Sequence, residues 1–214
     1  MTNATFTVIQ AIIDRSGSMH SIRSDAEGGF NAFIESQRTL PGQCQVSLAR
    51  FDDEYEVVYT DLPIDQVPPL VIEPRGTTAM LDAIGRTVVG LAARLAALPE
   101  GQRPGVVIVG IVTDGLENAS REFGYESVKQ LITQQERDYG WTFLYMGADQ
   151  DAVEQGARMG VAAGRSLSYD RRSSAAAYDA MSGAVSRLRS AVATGAPAPM
   201  SAADFTDEER EGAN

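Results

Sequence analysis

Residues 8–19 read VIQAIIDRSGSM, an apolar run interrupted only by Gln10 that ends in Asp14-Arg15-Ser16-Gly17-Ser18. Such a run, closing on turn residues, fits a strand covered on both faces, as at the centre of a parallel sheet. The turn after it places one carboxylate and two hydroxyls together. These are hard oxygen donors suited to a small divalent cation.

Outward from this turn, apolar runs of strand length alternate with helical patterns, as expected of an α/β protein with a largely parallel sheet. Residues 5–13 form the first strand, and a helix follows through Ile22, Phe30, Phe33 and Ile34. Its first half is expected to be irregular, because each of Gly28 and Gly29 costs about 1 kcal/mol relative to alanine. Gln43–Phe51 and residues 54–62 are joined only by Asp52-Asp53, too short for a parallel crossover, so they form a hairpin whose second strand is an antiparallel edge. A Pro-rich loop over residues 63–74 leads to a helix through Leu81, Ile84, Val88, Leu91 and Leu95. Residues 105–113 are nearly all apolar and read as a central strand ending at Asp114-Gly115. A helix over residues 125–139, a strand over 141–146, a short helix over 151–159, a last strand over 161–168 and a helix over 173–192 complete the pattern.

This pattern is a doubly wound, Rossmann-like α/β fold with helices on both faces and sheet order 3-2-1-4-5-6, its third strand antiparallel. In that order ligands bind at the carboxyl ends of the strands where the order reverses, between the first and the fourth. Asp14 ends the first and Asp114 the fourth, so two carboxylates distant in sequence meet at one crevice. Ser16, Ser18 and either Thr77 or Thr78 fall between them. All are oxygen donors, with no His or Cys in these segments, which favours Mg²⁺, Mn²⁺ or Ca²⁺ over zinc or copper. Hydroxyls are weak ligands and bring no charge. A cation held by Ser16 and Ser18, with Asp14 and Asp114 partly through water, keeps room for an outside carboxylate, which is chemistry for recognition rather than turnover.

Three segments in this order resemble the metal-ion-dependent adhesion site of the von Willebrand factor type A domain: Asp14-Arg-Ser16-Gly-Ser18, Gly76-Thr77-Thr78-Ala-Met-Leu-Asp-Ala-Ile, and Val112-Thr-Asp114-Gly-Leu-Glu-Asn. The similarity extends over residues 4–193. The resemblance implies that Ser16, Ser18 and Thr78 bind the metal through hydroxyls and that Asp14 and Asp114 bind it directly or through water. The sixth position would belong to water or to a partner's Asp or Glu. Thr78 is aligned because the family often reads Gly-Gly-Thr-Pro-Leu-x-Asp-Ala here, so that Thr77 replaces the second glycine. Residues 139–151 resemble a bacterial, intracellular subgroup. The implied function is a Mg²⁺-dependent protein–protein interaction module, not an enzyme.

Two alternatives compete with this reading, a Mg²⁺-dependent phosphohydrolase and a metal-independent scaffold. A phosphatase of the haloacid dehalogenase type also places Asp after its first strand, but it needs a second Asp two positions on, where Ser16 stands. The single histidine, His20, accompanies no Gly-x-Ser-x-Gly elbow, and the first strand lacks a following Gly-x-Gly-x-x-Gly. Taken alone, Asp14 and Ser16 would be a helix cap. His20 reads as a partly exposed helix-start residue, Glu117 as a solvated loop carboxylate, and Met19 as packing beneath the turn.

With 214 residues the chain supports one core. Residues 1–193 read as the domain and 194–214, rich in Gly, Ala, Pro and acids, as a flexible acidic tail, in which Phe205 either packs back or stays disordered. The net charge of −11 speaks against nucleic acid or an anionic membrane surface as partner. One cysteine, Cys44, is expected to be buried and reduced. Neither a secretory leader nor a membrane-length apolar run is visible, so a cytoplasmic protein is expected. Oligomeric state is not legible in these residues.

Overall fold

The computed structural model describes residues 2–193 and 199–214. In chain order the main elements are β1 (Asn3–Asp14), α1 (Arg23–Arg38), β2 (Gln43–Phe51), β3 (Tyr55–Pro63), α2 (Met80–Ala97), β4 (Pro104–Thr113), α3 (Tyr125–Tyr139), β5 (Thr142–Ala148), α4 (Ala152–Met159), β6 (Ser166–Tyr169), α5 (Ser174–Ala193) and α6 (Asp207–Gly212). The two long apolar runs, β1 and β4, pair in parallel at the middle of a six-stranded sheet of order β3-β2-β1-β4-β5-β6. β3 runs antiparallel to β2 at one edge; all other neighbours are parallel. The expected doubly wound topology is thus the observed one.

Alternation along β1 divides the core into two layers, since successive side chains of a strand point to opposite faces. Ile9, Ala11 and Ile13 pack with Phe30 and Phe33 of α1 and Met181 and Val185 of α5. Val8 and Ile12 pack with Ile84 and Val88 of α2, Ile132 of α3 and Met159 of α4. Covered on both sides, β1 and β4 have no polar face, which is why their sequences show no clean period of two. The register brings Asp14 level with Phe51 of β2 and places Ile13 beside Val112 of β4. The carboxyl ends of the three central strands therefore share one edge, and the loops that follow them meet there.

Three expectations are corrected. α1 is regular from Arg23 onward, and residues 17–21 before it form a 3₁₀ turn. Gly29 does not break the helix but serves its packing, since a methyl there would lie 2.3 Å from the ring of Tyr178 on α5. The last strand is short, Ser166–Tyr169, because Ala163–Arg165 turns as 3₁₀ before it.

The third correction concerns the expected flexible tail, of which 194–198 lie outside the described residues. Residues 199–214 pack against the domain, with Ala203, Phe205 and Ala213 buried. Arg187 of α5 donates to the carbonyls of Ala202 and Asp204 and pairs with Glu209, while Arg210 donates to the carbonyls of Ser166, Ala163 and Gly164. Composition misled here because this segment does not build a core. It adds a few apolar side chains to one that exists, and two arginines receive its carbonyls and those of the loop below. Among the described residues no helix is long and apolar enough to cross a membrane.

Candidate metal centre

Asp14 closes β1 and is fully buried. Its Oδ1 accepts the backbone N–H of Ser16 at 2.6 Å, and its Oδ2 accepts the Thr113 hydroxyl at 2.6 Å, which locks the side chain between the ends of β1 and β4. Burial pushes the Asp14 carboxyl up to about 6 against the pull of the Thr113 and Ser16 hydrogen bonds, and the charge of Asp114 adds to the rise.

The turn after Asp14 is clamped by the β2–β3 hairpin and the loop before α2. Arg15 N–H donates to Phe51 O at 2.7 Å, Arg75 N–H to Arg15 O at 2.9 Å, and Gly17 N–H to Gly76 O at 3.3 Å. The buried Arg15 side chain pairs with Asp52 at 3.0 Å and with Glu56. The middle residue of Asp14-x-Ser16 is thus the strut that fixes the turn to the neighbouring strand.

Within the turn, Ser16 Oγ lies 3.1 Å from Ser18 Oγ, and Ser18 Oγ donates to Asp114 Oδ1 at 2.6 Å. Thr78 is buried beside them: a methyl built on Gly115 would stand 3.0 Å from Thr78 Oγ1 and 3.4 Å from Ser18 Oγ. Both hydroxyls therefore crowd the same glycine. Asn118 holds Thr78 there, accepting its N–H on Oδ1 at 3.0 Å and donating its own N–H to the Thr78 carbonyl at 3.0 Å. Thr77 is exposed instead, lining a polar groove of ≈ 630 Å³ with Asp53, Asp82 and Arg86. The structure thus gathers Asp14, Ser16, Ser18, Thr78 and Asp114 at the switch between β1 and β4, and turns Thr77 away.

Asp114 is also buried, and burial raises its carboxyl; Ser18 and Arg171 oppose the rise and Asp149 adds to it. Its Oδ2 has no hydrogen-bond partner among the described residues and stands at ion-pair distance, 3.3 Å, from Arg171 Nη2. Among the described residues no group of three or more His, Cys, Asp and Glu side chains could hold a metal, so a cation here has to rely on hydroxyls. The residues fit one. Two buried carboxyls disfavoured in their charged form, one carboxylate oxygen without a hydrogen bond and three converging hydroxyls are a donor set that a hard divalent ion would satisfy.

Several residues that shape this site were not singled out in the sequence, or were read differently. Glu117 is no solvated carboxylate: it accepts the N–H groups of Leu81, Ala119 and Ser120 and the Ser120 hydroxyl at 2.8–2.9 Å, tying the loop after β4 to the first turn of α2. Asp82 accepts the N–H groups of Arg121, Glu122 and Phe123 at 2.8–2.9 Å, and although burial alone raises its carboxyl, these bonds hold it below its ordinary range. Arg171 reaches the site from the loop after β6. Its position at the carboxyl end of a strand was the one signal that could have found it. Met19 is fully buried, as expected, and His20 is exposed rather than partly so.

No protein-family model and no curated protein matches the chain. Among solved structures, the von Willebrand factor type A protein from Catenulispora acidiphila superposes with a TM-score of 0.57 at 17% identity, over 85% of this chain and 43% of that one. The fold is the von Willebrand factor type A fold. Proximal thread matrix protein 1 (PTMP1) from the mussel byssus, with a zinc-occupied MIDAS motif, shares this type A fold with a TM-score of 0.53 and 18% identity, over 87% of this chain and 44% of PTMP1. The ArnB paralog VWA2 from Sulfolobus acidocaldarius gives 0.51 and 17%, over 81% of this chain and 44% of that one. The chain spans somewhat under half the length of each of these structures.

Proposed function

We propose that this protein is a divalent-cation-dependent protein-interaction module of the type A fold, in which Ser16, Ser18 and Thr78 hold the ion through hydroxyls, Asp14 and Asp114 hold it directly or through water, and a partner's Asp or Glu completes the shell. The observation that carries the reading is the hydroxyl–hydroxyl–carboxylate chain from Ser16 through Ser18 to Asp114, with Thr78 against the same glycine. A neutral hydroxyl set leaves a bound ion short of negative charge, and an outside carboxylate supplies it. Leu116, 55% exposed and two residues from Asp114, offers the partner an apolar contact at the rim.

Mg²⁺ is the ion this donor set favours by hardness, with Mn²⁺ and Ca²⁺ as other candidates. The zinc in PTMP1 argues that availability as well as hardness decides, because affinity for a given site generally rises from Mn²⁺ toward the late transition metals. An enzymatic role is disfavoured by Ser16, which stands where a phosphohydrolase needs its second carboxylate. The free, buried Cys44, whose thiol burial pushes up to about 11, suits a reducing compartment, and with the resemblance of residues 139–151 to a bacterial subgroup it supports a bacterial, cytoplasmic setting.

The test is a pull-down from the native cytoplasm, with Mg²⁺ against EDTA and wild type against Ser16→Ala, paired with thermal melts. For a site with Kd of about 0.1–1 mM, 1 mM Mg²⁺ stabilises the fold by about 0.4–1.4 kcal/mol, a rise that Asp14→Ala abolishes while staying folded. A partner retained equally in EDTA would instead support a scaffold role, and phosphoester turnover lost with Asp14→Ala would support the hydrolase.

A further inference from the structure

Arg171 enters the site from an element that the three sequence segments do not include. Its Nη2 lies 3.3 Å from Asp114 Oδ2 and donates to the Asp114 carbonyl at 3.4 Å, and its Nε lies 3.3 Å from Asp149 Oδ2. The loop that carries it is fixed without the side chain. Arg171 N–H donates to Asp149 Oδ1 at 3.2 Å, Asp170 N–H donates to Ala213 O at 2.9 Å, and the Ser174 hydroxyl donates to the Arg171 carbonyl at 3.0 Å. Asp149 itself sits at φ 50°, a left-handed conformation that Asp tolerates better than most residues, and its N–H is held by Tyr169 O at 2.9 Å. The guanidinium is thus aimed at the end of β4 by backbone anchors from β5, β6 and the C-terminal segment.

We propose that Arg171 is a tethered counter-cation of this site, pairing with Asp114 in the metal-free protein and lowering the affinity for the divalent ion, so that it sets the concentration at which the site loads. The proposal rests on the cation reading above and adds a residue outside its ligand set. Without a metal, Arg171 is the guanidinium in ion-pair contact with the buried Asp114 carboxylate and hydrogen-bonded to its carbonyl. When a divalent ion arrives, that attraction becomes repulsion between the arriving ion and a fixed positive charge a few ångströms away. A unit charge against a divalent one at about 5–6 Å changes affinity by about tenfold even at the dielectric of bulk water, and by more in a partly solvated site at low salt.

A purely structural ion pair predicts otherwise. Arg171 is 37% exposed on its side chain while that of Asp114 is fully buried, so the pair is half-buried and its part in folding is read separately, from melting curves in EDTA. Replacing the side chain should leave the fold intact while moving cation affinity, and the sign separates the two roles, because a lost strut weakens a site and a lost competitor strengthens it.

The experiment is calorimetric titration of Mn²⁺ into the full chain at low ionic strength, comparing wild type, Arg171→Gln, Arg171→Lys and Ser16→Ala, with melting curves in EDTA as the folding control. Arg171→Gln should bind Mn²⁺ at least about tenfold more tightly than wild type, and Arg171→Lys, which keeps the charge, should stay near wild type. The gap should narrow in high salt, as screening of a partly exposed charge requires. If wild type binds Mn²⁺ in a Ser16-dependent manner but Arg171→Gln binds equally or more weakly, the proposal fails and the cation reading stands. If Arg171→Lys tightens binding as much as Arg171→Gln does, charge is not the cause and the proposal also fails. Absence of Mn²⁺ binding in wild type and Arg171→Gln alike overturns both.

Discussion

Asp14 is buried on every side, and its two oxygens are already engaged by Ser16 N–H and the Thr113 hydroxyl. Holding a charge there is unfavourable without a cation, which is why its carboxyl moves from an ordinary 3.8 up to about 6. The sign of the pH dependence follows. Between these two values the folded chain binds more proton than the unfolded chain at this group, so its contribution to stability falls as pH rises through the window and stays low above it. That interval corresponds to at most about 3 kcal/mol, with the Thr113 and Ser16 hydrogen bonds already counted in it. Asp14→Asn removes the titration, and the Thr113 hydroxyl can rotate to accept from the new amide. In EDTA at neutral pH, Asp14→Asn should therefore be more stable than wild type by about 1–2 kcal/mol by denaturant titration, with the difference vanishing near pH 4. Saturating Mg²⁺ should narrow or reverse the order by stabilising wild type alone. A wild type that outlasts the variant in EDTA at pH 7 would mean that the buried charge is compensated within the protein itself.

At the scale of elements, two adjacent glycines of α1 make opposite predictions. A methyl on Gly28 would meet nothing within 4 Å, whereas one on Gly29 would lie 2.3 Å from the buried Tyr178 ring of α5. Gly28→Ala should stabilise the fold by about 0.5–1 kcal/mol through helix propensity, and Gly29→Ala should destabilise it by about 1–3 kcal/mol through overpacking, both measurable by urea unfolding. Sequence reasoning treated the pair alike because propensity is a property of the residue, while close approach of α1 and α5 is a property of the pair of helices. The same division runs through the site. Strand order and the meeting of Asp14 with Asp114 were legible, since apolar runs and short links constrain topology. The choice between Thr77 and Thr78 was not legible from spacing alone: it depends on which side of residue 78 Asn118 clamps. Glu117 and Asp82 lie inside the recognised segments but act on backbone N–H groups of loops that only the fold brings near, and Arg171 is marked by no more than its place after the last strand.

At the scale of the whole molecule, the docked segment 199–214 covers the end of the sheet where β6 and α5 meet. Phe205 is its apolar anchor, buried beneath Arg210 and fixed by its own N–H donating to Gly164 O at 2.8 Å. Arg187 of α5 receives the same segment through the Ala202 and Asp204 carbonyls and the Glu209 carboxylate. These polar contacts orient the segment, but most of the energy of docking belongs to the phenyl ring and the small side chains beside it. Phe205→Ala should accordingly cost about 3 kcal/mol in urea unfolding, near the lower end for a buried phenylalanine, because the site lies at the margin of the core and can collapse or admit water. The exposed pair is a different case. Arg187→Ala leaves two carbonyls to be solvated and loses one partly exposed ion pair, so its cost should be smaller than that of Phe205→Ala. Limited proteolysis gives an independent reading: Phe205→Ala should open cleavage within 199–214 while the rest of the chain stays protected. A segment equally resistant in the variant would show that Arg187 and Arg210 hold it without the ring, and that its attachment is polar rather than hydrophobic.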